Sequence, residues 1–221
     1  MNPWEFPLLV DFLLDPRWSK KPFRGFNGQR GRQQIVRDLM EEFKPQSFVE
    51  TGTYLGDTAG WVAQEFKFVI PVWTSETEER YAKVAGIRCK NLPVAVCHRD
   101  SRDFLKRLAS IESCNVFFYL DAHWNVDWPL SEELELIVSS RPHGEFLIMI
   151  DDFAVPDDPG YAHDSFGMTE CGALFSKLEL TPFFPTLKGS DEEDPRRGCV
   201  VLAPWQRVER MGKVESLRRY Q

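Results

Sequence analysis

Two apolar stretches, each ending in acids, constrain this chain more than anything else in it. Asn115-Val-Phe-Phe-Tyr-Leu-Asp-Ala-His-Trp124 runs into Asp121 and His123. About thirty residues later Glu145-Phe-Leu-Ile-Met-Ile-Asp-Asp-Phe153 runs into Asp151 and Asp152. Unbroken apolar runs of this length read as strands covered on both faces, which is the signature of a parallel sheet. Ligands of such sheets sit beyond the carboxyl ends of the strands. Three carboxylates gathered there repel one another unless a cation joins them. Asp121, Asp151 and Asp152 therefore point to a hard divalent metal, with His123 beside it.

The rest of the chain alternates in the manner such a sheet requires. The spacing of Ile35, Leu39 and Phe43 predicts a helix over 31–43, ended by Lys44-Pro45. Strands are expected at 47–51, 68–74, 94–98, 116–120 and 146–150. Helices are expected between them at 58–66, 78–86, 101–108 and 131–139. Repeated strand–helix alternation implies an α/β, doubly wound, Rossmann-like sheet. The tail departs from it. A helix at 172–180, a strand at 182–187, a polar loop at 189–197 and a strand at 199–203 suggest an antiparallel pair at one sheet edge. The acidic run Asp191-Glu-Glu-Asp194 reads as a solvated loop. Residues 1–30, with Trp4, Phe6, Trp18, Phe23 and Phe26, read as a short helix and an irregular arm that packs on the sheet or covers a ligand. Residues 31–221 read as one domain.

Charge and cysteine use narrow the class. A net charge of −7 argues against a general binder of nucleic acid or anionic membrane, and the small basic cluster Arg24–Arg32 does not reverse that. Cys89, Cys97, Cys114, Cys171 and Cys199 form no C-x-x-C pair and are odd in number, so free thiols in a reducing compartment are expected. Glu5 and Asp11 interrupt the N-terminal apolar residues, which do not read as a signal peptide. No run approaches the roughly 18 apolar residues of a membrane span. The expectation is a cytoplasmic protein.

The first strand runs into Phe48-Val-Glu-Thr-Gly-Thr-Tyr-Leu-Gly-Asp-Thr58. Gly52 and Gly56 fall where the backbone must turn tightly and approach a ligand closely. The following helix N-terminus can hold an anionic group. The spacing is neither the dinucleotide G-x-G-x-x-G nor a P-loop. Glu76 ends the second strand, 24 residues after Gly52, a separation at which a carboxylate accepts hydrogen bonds from ribose hydroxyls. Asp100-Ser101 ends the third strand and suits either an adenine edge or a helix N-cap, and the two roles are compatible.

Together, Glu50-Thr-Gly-Thr-Tyr-Leu-Gly-Asp-Thr58, Glu76, Asp100-Ser101, Asp121-x-His-Trp124 and Asp151-Asp152 resemble class I S-adenosylmethionine (SAM)-dependent methyltransferases, and among these the metal-dependent O-methyltransferases. The macrocin and novobiocin type sugar O-methyltransferases are more similar than catechol O-methyltransferase. The resemblance spans about residues 30–203 and implies a seven-stranded, mostly parallel sheet with an antiparallel last strand. It implies that Gly52, Thr53 and Thr58 line the methionine part of SAM, with Glu50, Tyr54 and Gly56 also in the cofactor site. Glu76 would bind its ribose and Asp100-Ser101 its adenine, with Asp121 also near the cofactor and Trp124 facing adenine or substrate. Asp121, Asp151 and Asp152 would ligate Mg²⁺, and His123 would be the general base. The catechol enzymes place a lysine directly after His-Trp. Here that position is Asn125, which favours His123 as base.

Those residue types suit methyl transfer to oxygen on chemical grounds. A cation bound to a hydroxyl lowers its pKa. Three carboxylates prefer Mg²⁺, Mn²⁺ or Ca²⁺. Histidine, with an unperturbed pKa of about 6.5, accepts a proton near neutrality. The expected acceptor is a small hydroxylated molecule, a sugar or polyol first and a catechol-like phenol second. Small enzymes of this resemblance often pair as homodimers through the N-terminal arm. His98, Tyr161, His163 and Asp164 are weaker candidates near the ligands, and His143 reads as surface. A silent SAM-binding protein would keep the glycine loop without catalysis. A metal-dependent hydrolase could use the same acids but has no need of Gly52, Gly56 or Glu76.

Overall fold

Pairing on both sides explains why the first apolar stretch is apolar throughout its strand: Val116–Leu120 (β4) lies between Ser47–Thr51 (β1) and Phe146–Asp151 (β5). The computed structural model describes residues 21–67, 69–109, 115–123, 128–141, 144–163 and 166–220. The expectations for Trp4, Phe6, Trp18, Cys114, Trp124, Asn125, His143 and Asp164 lie outside these. The remaining elements are Arg30–Phe43 (α1), Asp57–Glu65 (α2), Val72–Glu76 (β2), Glu79–Arg88 (α3), Val94–His98 (β3), Ser101–Leu108 (α4), Leu130–Ser140 (α5), Met168–Lys177 (α6), Leu180–Pro185 (β6), Cys199–Pro204 (β7), Val208–Met211 (α7) and Leu217–Arg219 (β8).

The sheet order is β3-β2-β1-β4-β5-β7-β6-β8. Neighbours from β3 to β5 are parallel, whereas β7 runs antiparallel to both β5 and β6. This is the expected Rossmann-like arrangement, with one correction. The sheet has eight strands rather than seven, because β8 adds to the far side of β6. Side chains alternate between the two faces. Phe117, Tyr119, Leu147 and Met149 pack with Ile35, Leu39 and Val62 of α1 and α2. Phe118, Leu120, Ile148 and Ile150 pack with Leu105, Leu134 and Phe175 of α4, α5 and α6. Each such buried side chain stabilises the fold by about 1.5–3 kcal/mol before entropy is counted.

Two element boundaries moved for clear reasons. β2 starts at Val72 rather than 68, because Pro71 has no N–H to give the ladder and contributes only its carbonyl, to Phe48 N–H at 3.1 Å. α6 starts at Met168 rather than 172, set by Glu170, which accepts the Gly167 N–H at 2.8 Å. The acidic run 191–194 is not simply solvated. Glu192 is buried and accepts the Gly31 N–H at 3.2 Å, while Glu193 accepts the Arg30 N–H at 2.8 Å. α1 has no acid in its own first turn, so these two distant carboxylates neutralise its N-terminus. The four described cysteines are free thiols. Among the described residues no helix is long and apolar enough to cross a membrane.

Candidate functional site

Register brings the site together. Thr51 of β1 pairs with Ser75 of β2 and Leu120 of β4, and Leu120 pairs with Ile150 of β5. Gly52, Glu76, Asp121 and Asp151 therefore leave the sheet at one edge. The chain turns sharply after β1. Gly52 and Thr53 both donate to the Ser75 carbonyl, at 2.9 and 3.0 Å, while Asp121 N–H donates to the Thr51 carbonyl at 3.0 Å. Gly52 has φ +84°, and a Cβ there would collide with the Asp121 carbonyl oxygen. Only glycine serves at this position.

Beyond the turn lies a cleft of about 190 Å³. Glu50, Gly52, Thr53, Tyr54, Thr58 and Asp121 of the expected cofactor set line it. Gly56 stands behind it as the N-cap of α2. Arg24, Asn27 and Asp57 also reach the cleft, and none was expected there. Glu50 is buried and accepts the Thr74 hydroxyl at 2.6 Å, and Thr74 in turn touches the Thr53 hydroxyl. Burial pushes the Glu50 carboxyl up to about 8, which the Thr74 bond offsets in part and the charges of Glu76 and Asp57 reinforce. A cation beside it would favour the ionised form.

Glu76 braces the loop in this structure. Its Oε2 accepts the Tyr54 N–H at 2.8 Å, while Oε1 accepts the Glu78 N–H at 2.9 Å and the Thr77 hydroxyl at 3.5 Å, so Oε2 keeps a lone pair for another donor. Tyr54 has φ +47° and packs edge-on against Tyr81, with centroids 4.7 Å apart. Asp100 is the N-cap of α4, accepting the Arg102 N–H at 2.9 Å. Its hydrogen bond to the Arg102 side chain holds it below the usual carboxylate range. Ser101 is buried behind it. Also buried nearby is Glu133 of α5, pushed up to about 7 by desolvation, with the Ser101 and Thr51 hydroxyls offsetting part of the effect.

The acids at the ends of β4 and β5 divide differently from the expected trio. Asp151 follows Met149 by two residues and so shares its face, the one covered by α1. There the Arg32 guanidinium meets one carboxylate oxygen and the Tyr119 hydroxyl donates to the other at 2.6 Å. Arg32 is fully buried, and its Nε also donates to the Arg197 carbonyl at 3.2 Å. Burial alone would lower its pKa, but Asp151, Tyr119, Cys199 and Asp152 more than offset that and raise it. At Asp152 the chain leaves the strand with φ +50°, a strained value for a residue with a side chain. Its carboxylate lies 3.5 Å from Arg197 Nη1 and 4.0 Å from Arg32 Nη2. The donor atoms of Asp121, His123 and Asp152 lie within 4.8 Å of one another. The donor atoms that cluster on this edge are thus those of Asp121, His123 and Asp152, whereas Asp151 is engaged in an internal ion pair. Desolvation, then the Asp151 and Asp152 charges, push the Asp121 carboxyl well up.

His123 packs edge-on against Phe166, with centroids 5.0 Å apart. Two of the weaker candidates have partners elsewhere. His98 contacts the Thr77 carbonyl at 2.9 Å, and Tyr161 is buried with its hydroxyl on the Leu187 carbonyl at 2.9 Å. Sequence reasoning missed Arg32, Tyr119 and Thr74. For Arg32 a signal existed: it is the one charged residue on the apolar stripe formed by Ile35, Val36, Leu39 and Phe43.

No family model matches the chain, and no curated protein matches it in sequence. Solved structures do resemble it. One is the O-methyltransferase from Streptomyces achromogenes involved in tomaymycin synthesis, in complex with SAM; its TM-score is 0.55 at 16% identity, over 78% of this chain and 80% of that one. A second is an O-methyltransferase from Bacillus cereus in complex with S-adenosylhomocysteine (SAH), with a TM-score of 0.53 at 17% identity, over 78% and 80% of the two chains. A protein from Klebsiella pneumoniae, provisionally classed as an O-methyltransferase, aligns over 90% of both chains with a TM-score of 0.53 and 17% identity. At such identities the likeness is one of fold. The chain has the Rossmann-like, class I fold of these methyltransferases.

Proposed function

We propose that this protein is a SAM-dependent O-methyltransferase acting on a hydroxyl of a small molecule, a sugar or polyol in first place and a catechol-like phenol in second. The observation that carries the reading is the juxtaposition of two features. A glycine-turned, acid-lined cleft meets the N-terminus of α2, and the Asp121, His123 and Asp152 donors stand at the same sheet edge. Fold alone would not suffice, since one fold hosts many chemistries.

Each residue has a task. Gly52 lets the backbone approach the cofactor, and Glu50 and Asp121 offer negative charge to its cationic groups. Glu76 fixes Tyr54 and retains acceptor capacity for a ribose hydroxyl. SAM, when bound, supplies an electrophilic methyl group. Asp121, His123 and Asp152 would hold a divalent ion, and such an ion, when bound, lowers the pKa of an acceptor hydroxyl. Replacing Asp151 by a histidine in the donor set shifts the preference from Mg²⁺ toward Mn²⁺ and other imidazole-binding ions.

A second reading rests on the two guanidiniums. Arg32 and Arg197 already compensate Asp151 and Asp152. In that case no ion is needed, and His123 takes the acceptor proton itself. Labelled SAM, incubated with sugar and catechol acceptors with and without EDTA, separates the two. Transfer lost in EDTA and restored by Mn²⁺ supports the ion, and transfer unchanged by EDTA supports His123 acting alone. SAM binding without transfer to any acceptor would indicate a silent binding protein, and absence of SAM binding would remove the methyltransferase reading.

A further inference from the structure

One member of the basic cluster Arg24–Arg32, Arg24, finds a place in the cleft. Just before α1, Phe26, Asn27 and Gly28 adopt φ of 57°, 59° and 77° in succession. Two of these three carry side chains, which disfavour the left-handed region. The surroundings hold them there. The Phe26 ring is buried edge-on against Trp61 and Tyr119, at centroid distances of 5.4 and 5.0 Å, and its N–H donates to the Thr58 hydroxyl at 3.2 Å. Gln33 Nε2 donates to the Gly25 carbonyl at 3.0 Å, and the Phe23 ring lies 4.9 Å from the Arg88 guanidinium. Backbone strain pinned this firmly, beside a cleft, points to a constraint beyond folding.

The result of the bend is that Arg24 and Asn27 line the cleft. Gly28 leaves room for this: a Cβ there would come within 3.0 Å of Arg24 Nη2. Among the described residues no carboxylate pairs with the Arg24 guanidinium. Asp57, the nearest acid by hydrogen bonding, contacts only its backbone N–H, at 3.4 Å, and pairs with Arg88 at 2.8 Å. The cleft thus presents carboxyl groups from Glu50, Asp57 and Asp121, that of Asp57 paired with Arg88, and one guanidinium with its fork of donors open. That layout complements a zwitterion: an ammonium beside the acids and a carboxylate on the arginine.

We propose that Arg24 binds the α-carboxylate of the amino-acid end of the donor, so that the segment before α1 forms part of the cofactor site. This rests on the methyltransferase reading. The probes are SAM and decarboxylated SAM, which differ by that carboxylate alone. Their affinities for the full chain are measured by calorimetry for the wild type, Arg24→Ala and Arg24→Gln, with thermal melting to confirm that each variant is folded. The wild type is expected to prefer SAM. Both variants should lose about 10- to 100-fold in SAM affinity, the range for a charge-assisted hydrogen bond, and keep their affinity for decarboxylated SAM. Equal weakening toward both probes, or none toward SAM, would overturn the assignment of Arg24 while leaving the cofactor reading intact. A wild type that binds neither probe would overturn both.

Discussion

The ion pair between Arg32 and Asp151 offers the sharpest test of how the acid-rich edge is held. Arg32→Met keeps most of the side-chain volume and removes the charge. Asp151 would then be left buried with the Tyr119 hydroxyl and the Asp152 N–H, at 2.6 and 2.7 Å, as its described donors. Breaking a buried pair from one side costs about 3–5 kcal/mol. The two remaining donors place the expected loss near the lower end, about 3 kcal/mol. For a domain of this size that lowers Tm by about 6–12 °C, out of a total stability of about 5–15 kcal/mol. Urea and thermal denaturation of Arg32→Met, Asp151→Asn and the double variant form a cycle. The double variant should cost less than the sum of the singles by at least about 1 kcal/mol, because the second change removes the charge the first one stranded. A loss below about 1 kcal/mol for Arg32→Met, or strict additivity, would show that the pair does not hold this edge.

Other outcomes follow from the same geometry. Gly52→Ala places a methyl group on the Asp121 carbonyl and forces a left-handed alanine, so SAH binding by calorimetry should vanish and Tm should fall; unchanged binding would mean the turn is not where the cofactor lies. Glu50 binds its proton more tightly folded than unfolded, with a carboxyl raised from 4.5 to about 8, so its contribution is full below pH 4.5 and declines as pH rises to about 8. Glu50→Gln should therefore flatten the fall of Tm across that window, and a profile parallel to the wild type would refute the shift. Asp152→Asn should weaken Mn²⁺ binding, read by titration calorimetry, by 10-fold or more, a level of about 1.4 kcal/mol, whereas equal Mn²⁺ affinity in both proteins would exclude the Asp121, His123 and Asp152 site.

Much of the architecture was legible because local signals agreed. β1, β3, β4 and α4 begin and end where apolar runs, strand-end acids and the Asp100 cap place them. β8 was not legible, since Leu217–Arg219 is too short to show a period and exists only because β6 offers it an edge. The gathering of glycine turn, Glu50 and Asp121 followed from strand order alone. The division of the acids did not. Alternation along β5 puts Asp151 on the α1 face, but that its carboxylate is tied up there depends on Arg32, far away along the chain. The backbone twist at Asp152 that redirects its side chain has no residue signature, because aspartate is not a residue that demands positive φ. The acidic run 191–194 misled for a related reason: its partner is the bare N-terminus of α1, a main-chain feature that side-chain patterns do not display.

The closing strand has a bearing on how molecules of this protein meet one another. A sheet whose last member is long and flat invites a neighbouring copy to add a strand of its own, and so to polymerise. Here the boundary is Leu217–Arg219, with Arg218 reaching the Pro156 carbonyl at 2.8 Å and Arg219 facing outward. Two such borders brought side by side would offer each other few free amides and would set arginine against arginine. The strand that completes the sheet is thus also a stop, discouraging growth from one molecule into the next.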